Sequence, residues 1–249
     1  MRLFSIFRSR PKQLDKDIDL SVLHTDIHSH LIPGVDDGSS SLEESIFLIK
    51  ALRDLGFKKL ITTPHHLYNS FPDGTSILDE KLLELRQEIE KQGIDIELDL
   101  GVELMLDDDI SEMIKKGEIR TFGDNNLLFE IPMNSEVYGL DQWLFDLQLA
   151  GYNLILAHPE RYSYFFKNSD IFDSFKDRGI LMQLNTMSIS GYYGPDIKDS
   201  AEWMIDNNYV DLLGSDCHGE RHIRAIQNTL RSPYLKKLID SGRLKNKDL

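Results

Sequence analysis

Apolar residues along this chain follow two alternating rhythms. Short apolar runs of strand length recur at 24–27, 59–63, 96–102, 127–131, 154–157, 180–184 and 210–214. Between them apolar positions return at helical spacing. Leu42, Ile46, Ile49 and Leu52 form one stripe, opened by Ser41-Leu42-Glu43-Glu44 and closed by Gly56. A Ser followed three residues on by Glu predicts a capping box: the Ser oxygen accepts from the third helical N–H, and the Glu reaches back. Leu78, Leu82, Leu85 and Ile89 form a second stripe over about 76–92, stopped by Gly93. Further helices are expected near 107–117, 139–150, 169–178, 197–208 and 220–230. Strands alternating with helices imply parallel pairing through crossover helices.

Each apolar run leads into, or closes on, polar residues. The first leads into His28-Ser29-His30 and the second into Thr63-Pro64-His65-His66. The others close as Gly101-Val102-Glu103, Phe129-Glu130-Ile131-Pro132, His158-Pro159-Glu160-Arg161, Gln183-Leu184-Asn185 and Ser215-Asp216-Cys217-His218. In a β/α barrel the C-terminal strand ends share one face, where the active site lies. The pattern therefore predicts an α/β barrel whose mouth gathers residues distant in sequence.

Composition narrows the partners. Hydrophobic residues make up 41% of the 249 and charged residues 28%, which suits a globular chain with a sizeable core. A formal charge of −14 repels phosphate backbones and disfavours nucleic acid. The lone Cys217 permits no internal disulfide, and no run of 18 apolar residues spans a membrane, so a cytoplasmic enzyme is expected. Residues 1–20 are read as a flexible basic tail, with Arg2, Arg8, Arg10 and Lys12, and 21–249 as a single domain. A docking arm for a membrane surface or a partner is the other reading of that tail.

The polar residues limit the chemistry. His28-x-His30 puts two imidazoles on one side of an extended segment, and Asp216-x-His218 repeats the spacing. Alone, either pair is as consistent with satisfied histidines as with a metal. His65, Glu103, Glu130 and His158 add four more candidates at strand ends. Such a cluster in a barrel mouth is costly to bury without compensating positive charge, which bound cations supply. Mixed nitrogen and oxygen donors suit Zn, Mn or Fe. Asp36 and Asp37 lie in a Gly-Val-Asp-Asp-Gly turn, and composition does not decide which of them is a ligand. Arg161 stands three residues after His158, where it can bind a phosphate or form a surface ion pair. Cys217 lacks an Arg at the spacing of a cysteine phosphatase, and alternation turns it away from Asp216 and His218. There is no P-loop, Rossmann or Gly-x-Ser-x-Gly motif. Tyr162, Tyr164, Phe165 and Phe166 either line a pocket or pack a helix.

Taken in order, these motifs resemble the polymerase-and-histidinol-phosphatase (PHP) superfamily over about residues 24 to 230. Within it they are most similar to the bacterial tyrosine-protein phosphatases of capsule and exopolysaccharide operons, the CpsB/YwqE type. The resemblance implies a distorted seven-stranded β/α, TIM-like barrel and three divalent metal ions, with Mn first and Fe or Zn as alternatives. It implies that His28, His30, Glu103 and Asp216 bind a first ion. Glu103 would bridge to a second ion with Glu130 and His158, and Asp37, His65 and His218 would hold a third. It thereby selects Asp37 over Asp36, and it places Arg161, Asp37 and His65 in catalysis. His66 receives no role. The implied reaction is phosphotyrosine hydrolysis by metal-activated hydroxide, without a phosphoenzyme. The implied substrate is a bacterial tyrosine kinase with a Tyr-rich tail that controls polysaccharide synthesis. The alternatives are a small-molecule phosphatase of the histidinol-phosphate kind, a phosphodiesterase, or a regulatory binding module of a polysaccharide export complex.

Overall fold

The structure, a computed structural model, describes residues 12, 14, 16–67 and 76–249. The basic residues Arg2, Arg8 and Arg10 of the expected tail lie outside the described residues. The expected strands and helices recur in order. They are β1 (Thr25–Asp26), α1 (Leu42–Asp54), β2 (Lys59–Thr62), β3 (His65–His66), α2 (Ser76–Lys91), β4 (Glu97–Leu100), β5 (Glu103–Met105) and α3 (Ile110–Lys116). There follow β6 (Asn126–Glu130), α4 (Leu140–Leu149), β7 (Asn153–Ala157), α5 (Ser169–Asp177), β8 (Leu181–Asn185) and α6 (Thr186–Ser190). The chain ends with α7 (Pro195–Asp206), β9 (Leu212–Gly214), α8 (Glu220–Thr229) and α9 (Pro233–Asp240).

Two expected strands are each split in two. The run at 59–63 breaks at Pro64, which has no N–H to give a ladder, and resumes as β3. The run at 96–102 breaks at Gly101-Val102 and resumes as β5. Gly101 is required there, because a Cβ would lie 2.5 Å from Phe122 Cδ1. The breaks divide the ladders into two parallel sheets, ordered β1-β2-β4 and β3-β5-β6-β7-β8-β9. They also set the second register, pairing His65 with Glu103. At the other side, a parallel bridge joins Ser29 to Cys217. The Asp216 N–H donates to His28 O at 2.8 Å, and the His30 N–H donates to Cys217 O at 3.0 Å. The first and last strands thus meet at their C-terminal ends, beside the cluster.

The helices follow their sequence signals. Leu48, Ile49 and Leu52 of α1 and Leu78 and Leu85 of α2 are fully buried. The capping box is altered in one respect. Ser41 Oγ accepts from the Glu44 N–H at 3.2 Å as expected, but Glu44 Oε2 accepts from the N–H and the hydroxyl of Ser40, at 2.9 and 2.7 Å. Two helices lie outside the expected set. α6 is too short to show a stripe. α9 starts at Ser232-Pro233, a legible cap and first-turn signal.

Candidate metal centre

All nine residues expected to bind metal meet at the C-terminal strand ends. Their ligand atoms fall into four overlapping groups, each within 4.8 Å: His28, His30 and Glu103; His28, His158 and Asp216; His65, Glu103 and Glu130; and His30, Asp37, His65 and His218. The partition differs in part from the expected one. Glu130 lies nearer to His65 Nδ1, at 3.2 Å, than to His158 Nε2, at 3.8 Å. Glu103 is central: one oxygen is 2.8 Å from His158 Nε2, and the other is 3.2 Å from His28 Nε2 and 3.1 Å from His65 Nδ1.

The strand ends aim these side chains by different means. β1 and its extension alternate, so both rings of His28-x-His30 face inward with centroids 5.3 Å apart. Asp216 and His158 instead stand at φ +48° and +36°, a left-handed backbone that non-glycine residues seldom adopt. Strand alternation has ended at Gly214 and Ala157, and the turn re-aims the next side chain into the mouth. Cys217 is fully buried in the apolar core, as expected, with its thiol pushed up by burial and by the charge of Asp26.

A relay of amides fixes the first pair. Asn185 Nδ2 donates to Asp216 Oδ2 at 2.6 Å, which leaves Asn185 Oδ1 to accept from Gln183 Nε2 at 2.8 Å. Gln183 Oε1 then faces His28 Nδ1 at 2.8 Å, so that nitrogen carries the proton. On His30, Nδ1 donates to Asp36 Oδ2 at 2.7 Å. Both Nε2 atoms therefore face the cluster, 3.2 Å apart. Glu103 Oε2 lies 3.2 Å from the first and 3.4 Å from the second, and Asp216 Oδ1 lies 3.4 and 3.5 Å from them. Ligand atoms at about 2.0–2.1 Å from one ion come to lie about 3 to 3.5 Å apart, which is the spacing among the His28, His30 and Glu103 atoms. Buried carboxylates beside these rings require positive charge, which protonated imidazoles or a bound cation supply. Glu103 Oε2 is buried without a hydrogen-bond donor. The residues present fit a divalent metal ion.

Asp216 divides its oxygens. Oδ2 accepts from Asn185, from Arg161 Nη1 at 3.2 Å and from Tyr193 Oη at 3.2 Å, while Oδ1 faces the histidines. Asp36 closes the turn by accepting from the Gly38 N–H at 3.0 Å, and it also accepts from the His65 N–H at 3.1 Å. Asp37 is 74% exposed, with Oδ1 3.5 Å from His65 Nε2 and 3.4 Å from His218 Nε2. The two aspartates thus separate into a turn-former that orients His30 and a residue that faces the cluster.

The electrostatics answer to the same crowding. Burial pushes His30 down, but its bonds to Asp36 and Glu103 outweigh that and raise it to about 9. His65 rises to about 11, again against burial, through Glu103 and Glu130. His218 falls to about 4 because of burial and the neighbouring His30. Burial raises Glu103 and Asp216, but the surrounding histidines hold both well below the ordinary carboxylate range. His66 is buried on β3 and belongs to none of the four groups.

The cluster opens into a cavity of about 390 Å³ lined also by Arg161, Met133, Tyr192, Tyr193 and His222. The last four were not singled out from sequence. Arg161 sits over the Tyr193 ring at 4.5 Å, and the ring of His222 meets that of Tyr192 edge-on at 5.2 Å. His222 lies one helical turn beyond His218, the one signal the sequence held for it. In the aromatic run, Tyr162 and Phe165 are core residues, while Tyr164 is half-buried.

Parallel α/β strands thus carry, at their C-terminal ends, four overlapping histidine–carboxylate groups able to hold metal ions. The chain belongs to the capsular polysaccharide synthesis family CpsB/CapC, whose family model matches residues 24–245. It is 34% identical to CapC of Staphylococcus aureus over 221 residues, covering 88% of this chain and 84% of that protein. It is 26% identical to the tyrosine-protein phosphatase YwqE of Bacillus subtilis, covering 78% and 76%. Against the tyrosine-protein phosphatase CpsB of Streptococcus pneumoniae it is again 26% identical, covering 86% and 88%. The fold matches that seen in the crystal structures of YwqE from B. subtilis and CpsB from S. pneumoniae, described as metal-dependent tyrosine phosphatases, with TM-score 0.75, 24% identity and coverage of 89% and 94%. The histidinol phosphate phosphatase of Lactococcus lactis, solved with zinc, L-histidinol and phosphate, shares the fold at TM-score 0.55 and 14% identity, covering 88% and 94%.

Proposed function

We propose that this chain is a metal-dependent protein-tyrosine phosphatase. The observation that carries the reading is the set of overlapping histidine–carboxylate groups that share His28, His30 and Glu103, in a cluster whose cavity Arg161 also lines. Three ions, with Mn first, suit the nine side chains: His28, His30, Glu103 and Asp216 hold one, Glu103, Glu130 and His158 a second, and Asp37, His65 and His218 a third. Divalent ions in such a cluster lower the pKa of water and offset phosphoryl charge. Arg161 binds the phosphoryl oxygens, its planar fork matching their geometry. Asp216 and Tyr193 hold that guanidinium in place. Tyr192, Met133 and His222 form the rim against which a phenyl ring rests. Phenolate leaves readily, so the chain needs no strong acid beside it. The natural substrate is a cytoplasmic phosphotyrosine protein, a bacterial tyrosine kinase of polysaccharide synthesis. Among the described residues no helix is long and apolar enough to cross a membrane. The domain spans 21–249.

The fold shared with histidinol phosphate phosphatase favours one second reading, a small phosphomonoester substrate. Turnover of a phosphotyrosine peptide against histidinol phosphate and a phosphodiester, on protein of measured metal content, decides between them. A kcat/KM favouring histidinol phosphate overturns the proposal.

A further inference from the structure

A second concavity lies beside the catalytic mouth. It encloses about 660 Å³ between the loop before α4 and the start of α5. The same two strand-to-helix loops build both sites. β6 ends at Glu130 in the cluster, and the loop after it carries Met133 at the cluster, then Glu136 and Val137 in the groove. The loop after β7 carries His158 and Arg161 at the cluster, then Tyr164 and Phe165 in the groove. Two ring-to-ring steps connect them, 5.7 Å from His158 to Tyr162 and 5.9 Å from Tyr162 to Tyr164. Tyr164 Oη donates to Pro132 O at 2.6 Å and ties the two loops together.

The groove has an apolar floor and an acidic edge. Val137, Tyr164, Phe165 and Phe175 line it, with Glu136, Asp141 and Asp170 around them and no lysine or arginine among its walls. Asp141 and Asp170 stand in the first turns of α4 and α5, where acids also offset the helix dipole, and Asp141 is paired with Arg178. Glu136 lies outside both helices and has no such use. It lines the groove together with Tyr164.

We propose that this groove docks the substrate polypeptide flanking the phosphotyrosine and selects a segment with an apolar residue next to a lysine or arginine. The inference rests on the phosphatase reading of the neighbouring cluster. An extended chain rises about 3.3 Å per residue, so the groove meets residues some three or four positions from the phosphotyrosine. An acidic edge next to apolar walls attracts a cationic side chain whose stem packs on the rings. The phosphate group itself remains at Arg161, since the groove offers it no cation.

The test uses full-length, metal-loaded protein and three probes. These are p-nitrophenyl phosphate, a phosphotyrosine peptide with Leu-Lys three and four residues away (placed on either side in turn), and the same peptides with Ser-Ser there. The expected result is a KM about three- to tenfold lower for one basic peptide, at equal kcat. Glu136→Gln with Asp170→Asn removes that preference and leaves p-nitrophenyl phosphate turnover unchanged. Equal KM values for all peptides, or a preference that survives the double variant, overturn the groove. Fluorescence polarisation of the unphosphorylated basic peptide keeps the two claims apart. If no probe is turned over, charge-dependent binding lost in the double variant sustains the groove and sinks the phosphatase reading. A chain that sediments as a dimer and is dissociated by Ile171→Asp makes the groove a face between copies and overturns the proposal.

Discussion

His28 Nδ1 donates to Gln183 Oε1 at 2.8 Å, and this bond decides which imidazole nitrogen faces the cluster. The amide orientation is fixed in turn by Asn185 and Asp216. Gln183→Leu removes the acceptor, frees the ring to rotate and leaves the tautomer unset. Loss of such a supporting bond typically weakens metal binding about 10- to 100-fold. Manganese titration of the stripped variant should show that loss, with an unchanged far-UV circular dichroism spectrum. A variant that binds manganese as the parent does would remove the relay from the account.

Metal removal should cost stability as well as turnover. His28 and His30, with Nε2 atoms 3.2 Å apart beside the buried Glu103 and Asp216, offer bound ions nitrogen and oxygen donors in the folded chain only. Ions that bind only the folded chain stabilise it by mass action, about 2.7 kcal/mol per site at a hundredfold excess over Kd. Thermal melts of chelated protein should therefore move upward by several degrees as manganese is added. Superimposed melts would show that the cluster holds no tightly bound ion.

Arg161→Lys should behave much like Arg161→Ala. Lysine keeps the charge but loses the planar fork and the seat over Tyr193. Removing one donor to a phosphoryl group typically costs about a hundredfold in kcat. Both variants should keep their metal content by elemental analysis. Full activity in the lysine variant would reduce Arg161 to a point charge.

Cys217→Ser should retain turnover per bound metal. The thiol is fully buried, and its pKa is raised, so it supplies no thiolate near neutral pH. Abolished phosphate release with intact metal content would reinstate a cysteine nucleophile and contradict the mechanism.

Much of this site is written as polar residues closing apolar runs, which is why eight of the nine distant side chains are legible in the sequence pattern. His28, Glu103 and Asp216 stand at the ends of recognisable strands, and parallel topology brings such ends together. The strand breaks were hidden, because 59–63 and 96–102 look continuous to an apolar pattern. Pro64 forced one break and the contact of Gly101 with Phe122 the other. Period-two alternation was the wrong geometry for Asp216, whose left-handed backbone a sequence pattern does not reveal. Tyr192 and Tyr193 follow the five-residue helix α6, too short to announce itself, so the seat of Arg161 was missed. Composition alone left Asp36 and Asp37 open, since both fit the same turn, and only the family resemblance selected Asp37.

A control lies away from the chemistry. Glu44 accepts from the N–H and the hydroxyl of Ser40, and these bonds hold its carboxyl below the ordinary value of 4.5. A folded-state pKa below the unfolded one contributes stability that is present above about pH 4.5 and is lost as pH falls through the lowered value. Glu44→Gln should therefore destabilise at pH 7 and converge on the parent near pH 3, with kcat unchanged. A constant difference across that range would assign the effect to packing.

The central claim is most directly tested by phosphate release from a phosphotyrosine peptide, measured on chelated protein as manganese is returned and counted. The account predicts no release without metal, and release that rises with bound manganese and is abolished again by chelator. Release that persists in protein shown to be metal-free, or none from protein shown to be loaded, would contradict it.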